Sequence, residues 1–270
     1  MSKIKINEKF FSKVNSEEVA YVLGLLYADG WIEKKHSFGI ELLEHDKDIL
    51  EKIKFAMDAK QKLYPRIQKI NNKVKYTFRV HRSNMVQDLN TLGCVERKSL
   101  ILKFPDEKTV PKEFMNHFIR GYFDGDGSIS TGRNIKVNFT GNTNFILDLR
   151  NYLACNSILN ANKPNFGKNK NTHLFCTMEW SGRGNARRLF EYLYKDAKIY
   201  GQRKYNKFKE IICALDKKLS SELGLIAGKP EMVISNEALI GSNGSIIERS
   251  STIPEMEVES SDSKCPTLNK

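Results

Sequence analysis

The chain lacks the patterns that would make it a metal-cysteine, disulfide or membrane protein. Its five cysteines, Cys94, Cys155, Cys176, Cys213 and Cys265, are odd in number and nowhere form C-x-x-C. They read as reduced thiols of an intracellular protein rather than a disulfide framework. Five histidines are scattered without an H-E-x-x-H pair or a Cys/His cluster, so zinc is unsupported. The longest apolar run, residues 21–28, is far too short to span a bilayer, and the polar N-terminus does not read as a signal peptide. Aromatic residues stop at Phe208, and from about residue 219 Ser, Gly and Glu dominate. That stretch reads as a mobile tail over residues 219–270, with one short ordered piece near residues 232–240.

What is present in excess is positive charge, and it is unevenly placed. The net charge is +12, but residues 219–270 hold four basic against eight acidic residues, a balance of −4, so residues 1–218 carry +16. A field of that sign points to a polyanion. Nucleic acid ranks ahead of an anionic membrane, because no basic amphipathic helix stands out. With 270 residues, of which 40% are hydrophobic, the chain can build a sizeable core in one large domain or two ordinary ones.

Two stretches state one pattern twice: VLGLLYADG at residues 22–30 and IRGYFDGDG at residues 119–127. Each reads as the end of an apolar helix with a glycine inside, closing on an aspartate and a stop glycine. A carboxylate at a helix C-terminus faces carbonyls that already concentrate negative charge, which suits a hard divalent cation seeking oxygen ligands. Gly24 and Gly121 remove the side chain where two helices would approach closely. Either stretch alone reads most simply as a capped core helix. The pair, with its aspartates 97 residues apart and similar elements behind each, points to internal repetition.

Both stretches resemble the LAGLIDADG signature of homing endonucleases, in the single-chain form with two pseudo-symmetric repeats. The first copy has Tyr27 where an aspartate is common, whereas the second keeps Asp124. The resemblance makes the eighth position, Asp29 and Asp126, the metal-binding acids, with the backbone carbonyls of Ala28 and Gly125 as further ligands. It implies an α+β fold of two αββαββα repeats, each with a saddle-shaped antiparallel sheet, joined at a two-helix seam. It also implies a monomer that straddles double-stranded DNA at a long site. Both strands would be cut across the minor groove, leaving short 3′ overhangs, with Mg²⁺ as cofactor and Mn²⁺ as a possible substitute. The expected boundaries are residues 1–108 for the first repeat with an N-terminal arm, 109–218 for the second, and 219–270 for the tail.

The remaining chain fits that order. Asn15 with Glu18 reads as a capping box that starts the first signature helix near Ser16. Asp46 is placed to cap an amphipathic helix through about Met57, with Ile49, Leu50, Ile53, Phe55 and Ala56 on its buried side. In residues 73–81, Val74, Tyr76, Phe78 and Val80 alternate with Lys73, Lys75, Thr77, Arg79 and His81. Period two places the basic groups on one sheet face. The expected partner strand, residues 63–70, adds Arg66 and Lys69, and Asn142 or Thr143 is expected to cap the corresponding helix of the second repeat. Candidate DNA contacts are therefore Arg66, Lys69, Lys73, Lys75 and Arg79 in the first repeat, and Arg133, Lys136, Lys168 and Lys170 in the second. A solvated sheet face would explain any one of them, but explains the set less well.

Lys98 lies 69 residues after Asp29 and Lys204 lies 78 after Asp126, each in an Arg-Lys pair past the last helix of its repeat. A cation there would stabilise charge developing on a scissile phosphate, and relatives such as intein endonuclease domains imply catalytic lysines at comparable places. The expected function is thus a metal-dependent, site-specific DNA endonuclease of a mobile element, free-standing or intron-encoded. The competing readings are a maturase that binds intron RNA and a non-catalytic DNA-binding regulator on the same scaffold. An intein is disfavoured, because the chain begins Met1-Ser2 and ends Leu268-Asn269-Lys270 without splice-junction residues.

Overall fold

The first signature helix starts where Ser16 adopts an extended conformation and its hydroxyl accepts from the Val19 amide at 3.4 Å. The capping residue is therefore Ser16, one later than the expected Asn15, which leaves the Asn15/Glu18 pair out of register. In the computed structural model this helix, α1 (Glu17–Asp29), is buried along nearly its whole length. It runs straight into β1 (Gly30–Glu33), followed by β2 (Ser37–Leu43), α2 (Lys47–Ala56), β3 (Tyr64–Ile67), β4 (Val74–His81) and α3 (Ser83–Thr91). The second repeat follows as α4 (Lys112–Asp126), β5 (Gly127–Ser130), β6 (Lys136–Asn142), α5 (Thr143–Cys155), β7 (Phe175–Ser181) and α6 (Arg183–Tyr194), and α7 (Gln202–Glu222) comes after it. Residues 4–69, 72–166 and 174–222 are described. Lys168 and Lys170, and all of the expected tail beyond Glu222, fall outside them. Contacts group Met1–Lys218 into one unit and Leu219–Lys270 into another.

Both sheets are antiparallel, ordered β1-β2-β4-β3 and, among the described residues, β5-β6-β7. The α+β architecture expected from the two repeats is present. Among the described residues, what stands at the place of a fourth strand in the second sheet is a bridge between Asn165 and Thr177. Its neighbours are tied by side chains instead: Asn162 donates to the Glu179 carbonyl at 2.9 Å and the Trp180 indole donates to the Asn160 carbonyl at 2.6 Å. Among the described residues no helix is long and apolar enough to cross a membrane.

In each repeat one sheet face is core, formed by Phe38, Ile40, Phe78 and Val80 in the first and Val137, Phe139, Met178 and Trp180 in the second. The helices cover that face and the opposite face stays open. Two expectations about α2 fail. Phe55 is 90% exposed, because the buried stripe runs through Ile49, Ile53 and Met57 at four-residue intervals. Asp46 stands at the N-cap position but makes no cap hydrogen bond there, since its carboxylate is taken by Arg203. Asn142 does cap α5, accepting from the Asn144 and Phe145 amides. The N-terminal arm docks on the body through Ile6, Phe10, Phe11 and Val14.

Candidate active site

Helices α1 and α4 form the seam, and glycine sets how close they come. A Cβ added to Gly24 would lie 2.0 Å from the Phe118 carbonyl oxygen, and one added to Gly121 would lie 2.0 Å from that of Tyr21. The contact is reciprocal, backbone on backbone, as two copies of one helix would make about a twofold axis. Gly30 and Gly127 follow the last helical residues, as expected of stop glycines, and do so in an extended conformation, at φ −81° and −92°. Added Cβ atoms there would strike Leu26 and Phe123, so glycine lets the chain turn sharply from helix to strand.

The aspartates at the two helix ends meet. A Cβ on Gly125 would lie 3.1 Å from Oδ2 of Asp29, which places that carboxylate against the end of the opposite helix. Both side chains reach solvent at the open faces, yet surrounding atoms desolvate them, and burial is the largest cause raising each pKa. Asp126 is pushed up to about 6, with the Asp29 charge as the next cause, and Lys204 and Lys98 oppose the rise at both acids. Among the described residues no group of three or more Asp, Glu, His or Cys could hold a metal. The protein thus offers two carboxylates, an all-oxygen set that fits a hard divalent cation completed by water and phosphate.

The two lysines arrive beside these acids in matching ways. Lys98 is buried, and its Nζ donates to the carbonyls of Ala28 at 3.3 Å and Gly30 at 2.7 Å. Lys204 donates to Phe123 at 2.8 Å, Gly125 at 2.9 Å and Gly127 at 2.7 Å. Each ammonium therefore caps the carbonyl end of its repeat's signature helix, a favourable place for a cation. The Ala28 and Gly125 carbonyls, expected as metal ligands, each accept one of these bonds, leaving a second lone pair. Burial lowers both lysine pKa values while neighbouring acids hold them up.

Each lysine segment is also clamped by the other repeat. Arg203 makes a two-pronged pair with Asp46 at 2.8 and 2.9 Å, the Gln202 amide donates to Asp48 at 3.1 Å, and Lys52 donates to the Tyr200 carbonyl at 2.7 Å. In the other direction, Asn142 donates to the Leu100 carbonyl at 2.9 Å. A buried network fixes the chain ahead of α7: fully buried Arg120 donates to the Leu193 and Ile199 carbonyls and to Glu17, which also accepts from the Lys198 and Ile199 amides. Sequence reading missed this network. Its signal was Arg120 itself, a charge inside an otherwise apolar motif that needed a buried partner.

On the open face of the first sheet, strand register aligns Arg66 with Lys75 and Tyr64 with Thr77. The basic groups do share that face, but glutamates from neighbouring strands interleave with them. Lys75 pairs with Glu41 at 3.1 Å, Thr77 donates to Glu41 at 3.1 Å, and Arg79 pairs with Glu33 while stacking over Trp31. Lys69 and Arg133 are exposed, as is Lys73, which lies just before β4. In the second sheet Lys136 pairs with Glu179 at 2.9 Å. Among the described residues the open face there also carries the small polar Ser128, Asn138, Thr140 and Thr177, with exposed Phe175 at the start of β7. Exposed ion pairs of this kind are worth little, so they can open for a polyanion at small cost.

A reciprocal glycine seam, two helix-end acids and two open antiparallel sheets define a LAGLIDADG-type fold with two repeats in one chain. Residues 113–213 match the family model described as a LAGLIDADG-like domain. Among solved structures, the chain is similar to the homing endonuclease I-WcaI bound to its DNA recognition sequence, with a TM-score of 0.52 and 15% identity over 72% of this chain and 87% of that one. It is also similar to I-SmaMI bound to cleaved DNA, with a TM-score of 0.50 and 12% identity over 79% of this chain and 93% of that one. Two curated relatives come from Methanocaldococcus jannaschii, a DNA-directed RNA polymerase subunit Rpo1C and a DNA polymerase, each 26% identical. The matches cover 53% and 51% of this chain but only 17% and 9% of those proteins. Residues 113–213 thus carry a LAGLIDADG-like domain, and the fold sets a second helix of the same pattern, α1, against its first helix, α4.

The titration of Asp126 gives a stability prediction. Its pKa is raised from 3.8 to about 6, so the folded state favours the protonated form. The stability this group contributes is present below pH 4 and is lost as pH rises through about 6. At pH 7.5 without divalent metal, Asp126→Asn should raise the Tm by about 2–4 °C, and Mg²⁺ should then stabilise the parent more than the variant. Calorimetry with and without chelator checks this, and a lower Tm for Asp126→Asn in chelator would refute the like-charge description of the site.

Proposed function

We propose that this chain is a metal-dependent, site-specific endonuclease that hydrolyses both strands of duplex DNA. The observation that carries the reading is the convergence of Asp29, Asp126, Lys98 and Lys204 at the C-terminal ends of the two seam helices. An unactivated phosphodiester resists hydrolysis because the nucleophile must approach an anion and the leaving alkoxide is poor. Asp29 and Asp126 would hold Mg²⁺, with Mn²⁺ as a substitute, assisted by the Ala28 and Gly125 carbonyls. When bound there, such a cation would supply activation of a water and screening of the phosphate charge.

The chain's own residues do the rest. Lys98 and Lys204 supply fixed positive charge beside the acids, where the phosphate gains negative charge, and being already buried and bonded they need little reorganisation. The open sheet faces, with Arg66, Lys75 and Arg79 in one repeat and Lys136 in the other, would lie along the duplex, with the exposed Lys69, Lys73 and Arg133 beside the strands as further contacts; Lys168 and Lys170, outside the described residues, are candidates from the sequence alone. Glu33, Glu41 and Glu179 hold several of these cations in fixed rotamers and are themselves suited to accept from cytosine amino groups. A monomer suffices, because both half-sites are in one chain.

Replacing Arg66, Lys75 or Arg79 with Ala should weaken duplex binding. Each that meets only phosphate should reduce the slope of log K against log salt by about one. Fluorescence titrations at several salt concentrations measure this, and an unaltered slope across all three variants would remove the first sheet from the interface. The function itself is tested by incubating the protein with a randomised duplex library and Mg²⁺, then sequencing new ends. A discrete long site with short 3′ overhangs is expected, whereas tight binding to a structured intron RNA with no cleaved duplex would favour the maturase.

A further inference from the structure

Asp124 lies in the middle of the seam, buried, two residues before the metal-site acid, yet it touches neither Asp29 nor Asp126 by hydrogen bond. Its Oδ2 accepts from the Tyr21 hydroxyl at 2.7 Å and from the Gly201 amide at 2.7 Å. Gly201 immediately precedes α7, and its own carbonyl accepts from the Tyr205 amide at 3.0 Å, closing the first turn. The carboxylate of one helix thus caps the N-terminus of another, where both the free amide and the dipole favour an anion. Lys204 lies in that first turn, and its Nζ reaches back to the Phe123, Gly125 and Gly127 carbonyls around Asp124. The other oxygen, Oδ1, is buried on the side of the Tyr194 hydroxyl, whose pKa burial and then the Asp124 charge raise, so the carboxylate has polar neighbours on both sides.

The equivalent position of the first motif, 97 residues earlier, is Tyr27. Its hydroxyl donates to the Leu92 carbonyl at 2.6 Å, which begins the segment leading to Lys98. Different chemistries therefore do the same job: a carboxylate takes an amide, and a phenol takes a carbonyl. We infer that the sixth position of each motif, Asp124 and Tyr27, is a positioning residue that sets the lysine of its own repeat, Lys204 or Lys98, against its signature helix end. The inference rests on the nuclease reading for its consequence in catalysis, but the placement of the lysines can be measured without it.

The test compares the full chain with Asp124→Ala, Asp124→Asn and Tyr27→Phe. Free of DNA and metal, each protein is treated with an amine-acylating ester, and modification of individual lysines is followed by peptide mass spectrometry. Asp124→Ala should speed acylation of Lys204 about 10-fold or more and leave Lys98 unchanged, Tyr27→Phe should do the reverse, and Asp124→Asn, which keeps an acceptor for both donors, should restore parental reactivity. On a cleavable duplex, Asp124→Ala should accumulate nicked DNA, with one strand cut at the parental rate and the other about 10- to 100-fold slower, at unchanged affinity.

Equal rises at both lysines, or equal slowing of both strands, would reduce the sixth positions to ordinary core packing. Unchanged lysine reactivity in a folded Asp124→Ala or Tyr27→Phe protein would overturn the inference outright. If Asp124→Ala does not fold, Tyr27→Phe and Lys98 decide it. If the parent cuts no duplex, the nuclease reading fails while the acylation pattern still settles the positioning role.

Discussion

Asp29→Asn and Asp126→Asn should each lower double-strand cleavage by at least about 10³-fold while leaving the protein folded and able to bind duplex DNA. Asparagine keeps the size and planar shape of aspartate but removes the charge that would retain a divalent cation. Among the described residues neither carboxylate makes a hydrogen bond that organises the fold, and burial and mutual repulsion raise the pKa of Asp126. Loss of charge should therefore not unfold the seam. Single-turnover cleavage on a target taken from the library, run beside a binding titration, separates the two effects. A variant that still cuts within about tenfold of the parent would remove that aspartate from the metal site.

The second large effect concerns the seam. Gly121→Ala places a methyl group 2.0 Å from the Tyr21 carbonyl oxygen, and Gly24→Ala places one at the same distance from that of Phe118. Backbone cannot swing aside as a flexible side chain would, so α1 and α4 must separate. That separation loosens packing around Tyr21, Leu25, Phe118 and Tyr122, all buried. A cost of about 3 kcal/mol is expected for either change, at the upper end for overpacking. It should be accompanied by a loss of cleavage, because the helix ends carry the acids. Urea unfolding gives the number, and a cost under about 0.5 kcal/mol would show that the helices approach less closely than described.

The signature helices, and the placement of two aspartates and two lysines at their ends, were legible because the chain states the pattern twice. A second copy at fixed spacing, with matching lysines behind it, carries information that composition does not. The strand faces were legible from alternation alone, as Val74 to Val80 illustrate. What was not legible depends on partners distant in sequence. Asp46 reads as a helix cap until Arg203 is brought to it from the far end of the chain. Glu33 and Glu41 acquire meaning only from the register that sets them beside Arg79 and Lys75. Phe55 was misplaced because a hydrophobic residue next to a buried stripe need not belong to it. Asp124 stands in the sequence as the motif's usual aspartate, and only the fold shows that it accepts from Tyr21 and Gly201.

Whether the two seam-end carboxylates make this basic, two-sheet protein a nuclease is decided by exposing a randomised duplex library to the parent and to the Asp29→Asn/Asp126→Asn double variant, each with Mg²⁺ and with chelator. One discrete long site should be cut on both strands by the parent with Mg²⁺ only, and bound but left intact by the double variant. A parent that binds duplex tightly and cuts none of it in Mg²⁺ or Mn²⁺, or a double variant that cuts as well as the parent, would rule that role out.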